Sequence, residues 1–378
     1  MISIKNVFSG GKPALGLNMN IFSGLFPASK ELVGLDIGSN SLKLAEIVSI
    51  PKQGYVLNRF SQIPLTKGVV VDGVLVEQQE LSLKIKELFK QSNCKRKNIV
   101  ASLSGHSVII KKVNFPAMDE VELRDLIKDE VGKYLPFENT EEVNFDSQIL
   151  GENEFNPSQM DVILVAAKRD IITGYTDAIK GAGLNAVIMD VDSFALETMY
   201  EENYEFEENE MAVLINMGAS ITNINVVRGG TSVFTRDFTL AGNSITEAVQ
   251  QKLGIDFEEA ERLKIEGIDG SGPEQHAFRD SLLDYANPIC SEIERSIDYF
   301  RSTYGGENIK QVLLSGGSAK IPGIVDDLSR RLSIEAEIVN PFRKIGYNPA
   351  VLNQATIENI GPVAAVGIGL ALRRVGDR

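Results

Sequence analysis

The sequence predicts an α/β protein of two related domains, the first of them interrupted by a smaller module. Three observations carry that prediction. A strand–turn–strand pattern recurs at a domain-sized distance, and a strand–helix–strand–strand–helix run breaks into the first copy. The chain's 378 residues, 43% of them hydrophobic and 24% charged, are enough to bury two cores.

Folded structure is expected from Glu31, where LVGLDIGSNSLKLAEIVSI gives an apolar strand, a small-residue turn and a second, alternating strand. Tyr55 to Leu65 adds a third. Glu77 to Gln91 spaces Leu81, Ile85, Leu88 and Phe89 as an amphipathic helix does, and Asn98 to Leu103 returns to strand. From His106 to Gly183 the pattern changes. It predicts a strand (Val108 to Val113), a helix after Pro116 (Asp119 to Tyr134), two strands (Val143 to Leu150, Asp161 to Ala167) and a helix (Ile171 to Ala182). The first domain resumes with a strand at Asn185 to Val191 and a helix at Ser193 to Tyr200, giving it residues 31–105 and 184–205. The acidic run Glu201 to Glu210 reads as a solvated linker, and 211–360 as the second domain. VAAVGIGLAL, from Val363 to Leu372, is too short for a bilayer and reads as part of a buried helix, 361–374, that closes the first domain.

The duplication rests on an alignment of the two hairpins. MAVLINMGASITNINVV set under ELVGLDIGSNSLKLAEI places Asn216 under Asp36, Gly218 under Gly38 and Ser220 under Asn40, a constant offset of 180 positions.

Composition excludes several classes of function. With 52 acidic against 38 basic residues the chain carries a net charge of −14 and repels nucleic acid; Lys95, Arg96 and Lys97 form its longest basic run and read as a solvated helix end. Cys94 and Cys290, and the isolated His106 and His276, give no disulfide framework, zinc spacing or nucleophile motif. Two reduced thiols suit the cytosol. Residues 1–30 scatter apolar side chains among glycines without the layout of a signal peptide, and read as an extension that is mobile or binds a partner or membrane.

Four motifs carry chemistry. In DIGSNSLK, Gly38 admits close backbone approach, Ser39, Asn40 and Ser41 offer donors, Lys43 a positive charge, and Asp36 a hard oxygen for water-bridged Mg²⁺. A plain hairpin fits the same residues. NMGAS offers Gly218, Ala219 and Ser220 as backbone donors from the facing domain. SGGS (Ser315 to Ser318) follows an apolar strand and packs closely on either a flat base or the next helix. On AERLK, Glu261 and Lys264 share one helix face and either reach ribose hydroxyls or pair with each other.

In this order the motifs resemble the phosphate and adenosine signatures of the actin, Hsp70 and sugar-kinase superfamily, whose duplicated ribonuclease H-like ATPase domains close on a nucleotide. The module at His106 to Gly183 is placed like the extra subdomain of FtsA. VGLDIGSNSLKLAEI, YLPFENTEEVNFDSQIL, VAAKRDIITGYTDAIKGAGLNAVIMDVDSFAL, VLLSGGSAKIPGI and VNPF resemble the PilM family of type IV pilus assembly proteins, from Leu32 to Arg374.

That resemblance implies an ATP and Mg²⁺ site. Asp36, Gly38, Ser39, Asn40, Ser41 and Lys43 would form one phosphate loop and Asn216, Gly218, Ala219 and Ser220 the other. Gly242, Glu261, Lys264, Gly316, Gly317 and Ser318 would hold the nucleoside. Asp192 falls where relatives orient water or metal, or simply caps a helix. Asn216 replaces an Asp common among relatives, which points to little or slow hydrolysis. The resemblance further implies a cytoplasmic adaptor in pilus assembly and twitching motility, recruited to the inner membrane indirectly. It would bind the N-terminal cytoplasmic peptide of PilN, with other inner-membrane and motor components as partners, and a homo-oligomer or ring is its expected assembly. A peptide groove is expected along Val108, Ile110, Lys111 and Lys112, at the edge of the inserted module. The alternatives are a small-molecule kinase, which would need a base that only Asp192 offers, and an FtsA-like filament former.

Overall fold

The structure is a computed structural model that describes residues 32–135, 140–153, 156–268, 272–305, 309–349 and 352–374; the extension expected over residues 1–30 lies outside them. Strand β1 (Val33–Ile37) is almost wholly buried, as a strand with layers on both faces must be. It turns back as β2 (Ser41–Ile50) and again as β3 (Gly54–Pro64), an antiparallel meander. A small hairpin, β4 (Val70–Val71) and β5 (Val74–Leu75), leads into α1 (Gln78–Ser92), whose Leu81, Ile85, Leu88 and Phe89 enter the core. Strand β6 (Asn98–Leu103) then runs parallel to β1.

The inserted run follows as β7 (Val108–Pro116), α2 (Glu120–Tyr134), β8 (Val143–Asn153), β9 (Asn156–Lys168) and α3 (Arg169–Gly181). Its strands form an antiparallel sheet in the order β7-β9-β8, leaving β7 at an edge. Alternation along β9 divides its side chains. Met160, Val162, Leu164 and Ala166 pack with Leu123 and Ile127 of α2, whereas Ile163, Val165 and Ala167 join the first domain's core.

One boundary differs from the expected one. Helix α3, placed by sequence inside a module ending at Gly183, packs against α1: Ile172, Tyr175, Ala178 and Ile179 share a core with Leu81 and Ile85, and Ser82 Oγ donates to the Ala178 carbonyl at 2.9 Å. The reason is topological. Strand β10 (Asn185–Val191) lies beside β6 and parallel to it, and parallel neighbours need a crossover helix. That helix is α3, so the part that stands apart ends near Lys168.

After α4 (Asp192–Asn203) the acidic run keeps Glu205, Glu207 and Glu208 in solvent, as its charge implies, but is anchored through its aromatic residues and Glu210. Tyr200 stacks on Tyr204 and Phe206 at centroid distances of 5.2 and 5.3 Å, Arg343 lies over Tyr204, and Lys310 pairs with Glu210 at 2.9 Å. Aromatic residues interleaved with the acids supply the burial that charge alone would forbid.

The second domain repeats the first. It comprises β11 (Met211–Met217), β12 (Thr222–Arg228), β13 (Thr231–Phe238), α5 (Gly242–Leu253), α6 (Phe257–Glu266), α7 (Pro273–Tyr304), β14 (Ile309–Ser315), α8 (Ile324–Leu332) and β15 (Glu335–Ile338). Its sheet order, β13-β12-β11-β14-β15, matches β3-β2-β1-β6-β10 strand for strand, with the same antiparallel meander and parallel additions. The chain then returns to the first domain. Strand β16 (Gly346–Tyr347) extends the first sheet beyond β3, and α9 (Gln354–Leu372) packs on β1, β2 and α4.

Helix α9 begins nearly two turns earlier than expected, because Asn353 caps it by accepting from the Thr356 amide. At 19 residues it is long and apolar enough to cross a membrane, yet Ala364, Ala365, Ile368, Leu370 and Ala371 are core residues. Glycines set its depth. A Cβ on Gly34 would lie 2.3 Å from the Gly367 carbonyl oxygen, and one on Gly369 would lie 1.7 Å from that of Ala195. Gly369→Val is therefore expected to lower the unfolding free energy by at least about 2 kcal/mol, read from urea midpoints. Gly272→Ala, at extended backbone with no atom within 4 Å, should leave it nearly unchanged.

Candidate functional site

Both meanders turn in the same way. The Gly38 amide donates to the Ser41 carbonyl at 3.2 Å and the Gly218 amide to that of Ile221 at 3.0 Å. A Cβ on Gly218 would come 2.8 Å from the same oxygen, so the turn closes this tightly only with glycine. The hairpins face each other at one end of the two sheets, where Ser39 Oγ and Ser220 Oγ meet at 2.5 Å. Behind them opens a cleft of about 440 Å³.

Every residue assigned from sequence to the two phosphate loops lines this cleft, as do Asp192, Glu261, Lys264, Gly316, Gly317 and Ser318. Gly242 lies just beneath, where its Cβ would meet Ser318 Oγ at 2.5 Å and Lys264 Nζ at 3.4 Å. The third turn is pinned from both domains. Gly316 has φ +88°, and its Cβ would lie 2.3 Å from the Met217 carbonyl oxygen; its amide donates to the Pro362 carbonyl of α9 at 2.7 Å. The Gly218 carbonyl accepts from the Gly242 amide at 3.0 Å and from Ser318 Oγ at 3.2 Å. The second hairpin is thus fixed by backbone and hydroxyl groups, with no charge.

Charge enters from the first hairpin and from α6. Lys43 Nζ pairs with Asp36 Oδ2 at 2.9 Å across the β1–β2 ladder. At the matching position of the second copy, Asn216 Nδ2 donates to Asn223 Oδ1 at 3.2 Å. Lys264 binds Glu261 at 2.6 Å, Thr246 Oγ1 at 2.8 Å and the Gly242 carbonyl at 3.1 Å, while burial lowers its pKa. The ion pair and the cleft position, alternatives in the sequence, therefore hold together.

Asp192 does not cap its helix. Helix α4 begins on Asp192 itself, Val191 occupies the cap position, and the carboxylate accepts from Ser102 Oγ at 2.5 Å. Burial first, and then the neighbouring Asp36 carboxylate, push its pKa up to about 7.

The glycine turns and the two lysines suit a polyphosphate. Among the described residues no three His, Cys, Asp or Glu side chains form a metal cage. Mg²⁺ takes one or two carboxylates and completes its shell with phosphate oxygens and water, and Asp36, whose residue lines the cleft, is a group that could serve it.

Gln62, Ser104, Arg279 and Lys320 also line the cleft, outside the four sequence motifs. Lys320 lies two residues past SGGS and was within reach of that motif. Gln62 enters through the register that sets it beside Lys43, and Arg279 through the path of α7, neither of which has a local signal. The expected peptide-groove residues lie elsewhere, on edge strand β7. Val108 is buried, Ile110 half-buried, Lys111 donates to the Tyr134 carbonyl at 3.0 Å, and Lys112 pairs with Asp161 at 2.7 Å.

Residues 34–375 match the family model for the type IV pilus assembly protein PilM. Among solved structures, the chain resembles one in a PilM–PilN type IV pilus biogenesis complex, with 28% identity, TM-score 0.79, and 92% of this chain and 99% of that one covered. MreB5 of Spiroplasma citri, solved with AMPPNP, shares the fold at 13% identity and TM-score 0.50, over 91% and 95% of the two chains. The cell division protein FtsA of Pseudomonas aeruginosa is 20% identical over 91% of this chain and 89% of its own length. Together with the two like sheets, these place the chain in the actin-like ATPase fold.

The Asp192 shift has a sign that can be measured. Its folded pKa lies above the ordinary 3.8, so the stability it contributes is complete below that value and lost as pH rises to about 7. Asp192→Asn should shrink the difference in unfolding free energy between about pH 4 and about pH 8 relative to the unaltered chain.

Proposed function

The chain belongs to the type IV pilus assembly PilM family, and from that premise we propose that it is a nucleotide-loaded adaptor. In this reading ATP with Mg²⁺ draws the two domains together, and the inserted module holds the N-terminal cytoplasmic peptide of an inner-membrane PilN protein. The assembly would join that protein to the pilus motor at the cytoplasmic face of the membrane. One observation carries the reading: loop residues far apart in sequence converge on a single cleft between two like domains, while the insertion keeps an edge strand outside it. The PilM–PilN complex and the AMPPNP-bound MreB5 support each half of it.

The residues divide the task. Backbone amides of Gly38 to Ser41 and of Gly218 to Ser220 face the phosphates from both sides, as in other backbone nests for anions. Lys43, which pairs with Asp36 at 2.9 Å, would turn its charge to a phosphate, leaving Asp36 as the carboxylate that would hold the metal. Bound Mg²⁺ supplies neutralisation of phosphate charge. Gly317, where a Cβ would meet no atom within 4 Å, lets the nucleoside lie against bare backbone, Gly242 and Gly316 let the turns beneath it close on one another, and Glu261 and Lys264 address its ribose. Asn216 contributes no charge where an acid would strengthen the metal site, so the second loop binds without promoting turnover.

Asp36→Ala should weaken Mg-ATP binding several-fold more than binding of ATP without metal, measured by titration calorimetry; equal losses would remove the metal role. Phosphate release should stay below about 1 per second, the low end for enzymes, with Asn216→Asp as the change that raises it.

For the partner, a photoreactive N-terminal PilN peptide should crosslink to β7, and Lys111→Glu should lower its affinity while ATP binding is kept. Crosslinks confined to residues after Met211 would place the partner on the second domain instead.

A further inference from the structure

A single row of side chains crosses the second sheet from the cleft to the root of the insertion. Asn216 of β11 stands opposite Asn223 of β12, and Asn223 opposite Asp237 of β13. The row starts with the Asn216–Asn223 hydrogen bond at 3.2 Å and ends where Asp237 Oδ2 accepts from the Gly105 backbone amide at 2.7 Å. Gly105 belongs to the other domain. It opens the single 3-10 turn, Gly105–Ser107, that joins β6 to β7. One end of the row is therefore the second phosphate hairpin, and the other is the backbone from which the insertion's edge strand departs.

A second contact runs beside the row. Ile221 closes the hairpin turn, lines the cleft and presses into a notch formed by two glycines of positive φ, Gly73 and Gly105. A Cβ on Gly105 would lie 2.4 Å from Ile221 Cδ1, and one on Gly73 would lie 3.2 Å from it and 2.3 Å from the Ser104 carbonyl oxygen. The Gly73 carbonyl accepts from Ser107 Oγ at 2.5 Å and from the Tyr175 hydroxyl at 3.0 Å. The notch is thus tied to the turn before β7 and to α3. It has no slack to absorb a shift of Ile221.

The duplicated row in the first sheet is built differently. Asp36, Lys43 and Gln62 stand opposite one another in turn, the acid comes at the head, and Gln62 donates to Ser41 Oγ of its own hairpin at 3.1 Å. In the second sheet the acid comes at the tail, where the Gly105 amide needs an acceptor. The symmetry of the duplication is broken at the place where the insertion leaves the first domain.

We infer that Asp237 is a coupling residue: with Ile221, it transmits the position of the second phosphate hairpin to edge strand β7, so that nucleotide and partner peptide bind with linked affinities. The inference rests on the adaptor reading. Linkage is reciprocal, so the effect is visible from either ligand.

The test titrates a fluorescent N-terminal PilN peptide of the same organism into the full-length chain, with and without saturating AMPPNP. The two peptide dissociation constants should differ at least about fivefold in the unaltered chain and less than about twofold in Asp237→Ala. Each ligand titrated alone should bind that variant within about threefold of normal. Asp237→Asn, whose amide oxygen still accepts from Gly105, should keep the unaltered ratio. A ratio near one in the unaltered chain, or a full ratio in Asp237→Ala, overturns the coupling. Hydrogen exchange over residues 104–113 of the unaltered chain needs neither variant nor peptide, and should change when AMPPNP is added; no change there also overturns it. Loss of single-ligand binding confined to Asp237→Ala also overturns the coupling role, whereas failure of the unaltered chain to bind either ligand alone would instead overturn the adaptor reading, and is seen separately.

Discussion

Helix α9 comes from the far end of the chain and lies beneath the strand that begins the fold, and the shape of the cleft depends on that burial. The contact is backbone on backbone: bare α-carbons at Gly34 and Gly369 bring α9 against β1 and α4 at distances where any side chain would collide. From this position the Pro362 carbonyl holds the Gly316 amide, so the same helix that closes the first domain also sets the turn on the nucleoside side of the second. The end of α9 is fixed by Arg373, whose Nε meets Asp190 Oδ2 at 2.5 Å in full burial at the end of β10. A buried pair of this kind adds little net stability, because desolvation offsets attraction, but it tolerates only one geometry. Helix, sheet and cleft are in this sense one object.

Patterns that depend on neighbours in sequence were legible in the sequence. The strand after Glu31, the helix with Leu81, Ile85 and Leu88, and the hairpins offset by 180 positions all follow from local periodicity and glycine placement, and the repeated sheet order shows that the offset marked a real duplication. What stayed hidden depends on partners distant in sequence. Helix α3 has the pattern of any amphipathic helix, and nothing within it says that its apolar face meets α1 rather than the inserted sheet. The run from Glu201 to Glu210 reads as solvated by charge count, whereas Tyr204 and Phe206 tie it to Tyr200.

The cleft shows the same division at the level of single residues. Asp36 and Lys43 were each placed at a phosphate site, yet their mutual pairing is a consequence of β1–β2 register, which the motif does not encode. The sequence allows Asp192 as a helix cap or a water-orienting acid. Its bond to Ser102 comes from β6, ninety positions earlier, and depends on a parallel pairing that only the folded sheet provides.

The two copies have diverged in charge more than in shape. The first hairpin carries an acid and a base in contact, whereas the second offers amides and hydroxyls held by the carbonyl of Gly218. Electrostatic force on a phosphate falls slowly with distance, but hydrogen bonds from backbone and hydroxyl groups demand contact. Each domain thus brings one acid–base pair to the cleft, Asp36–Lys43 from the first and Glu261–Lys264 from the second, whereas the second hairpin can grip only a phosphate that it touches. Under the adaptor reading, that asymmetry makes domain position report on nucleotide occupancy without any bond being broken. A chain built to signal occupancy has no need of the second acid that rapid hydrolysis would demand, and Asn216 is consistent with that economy.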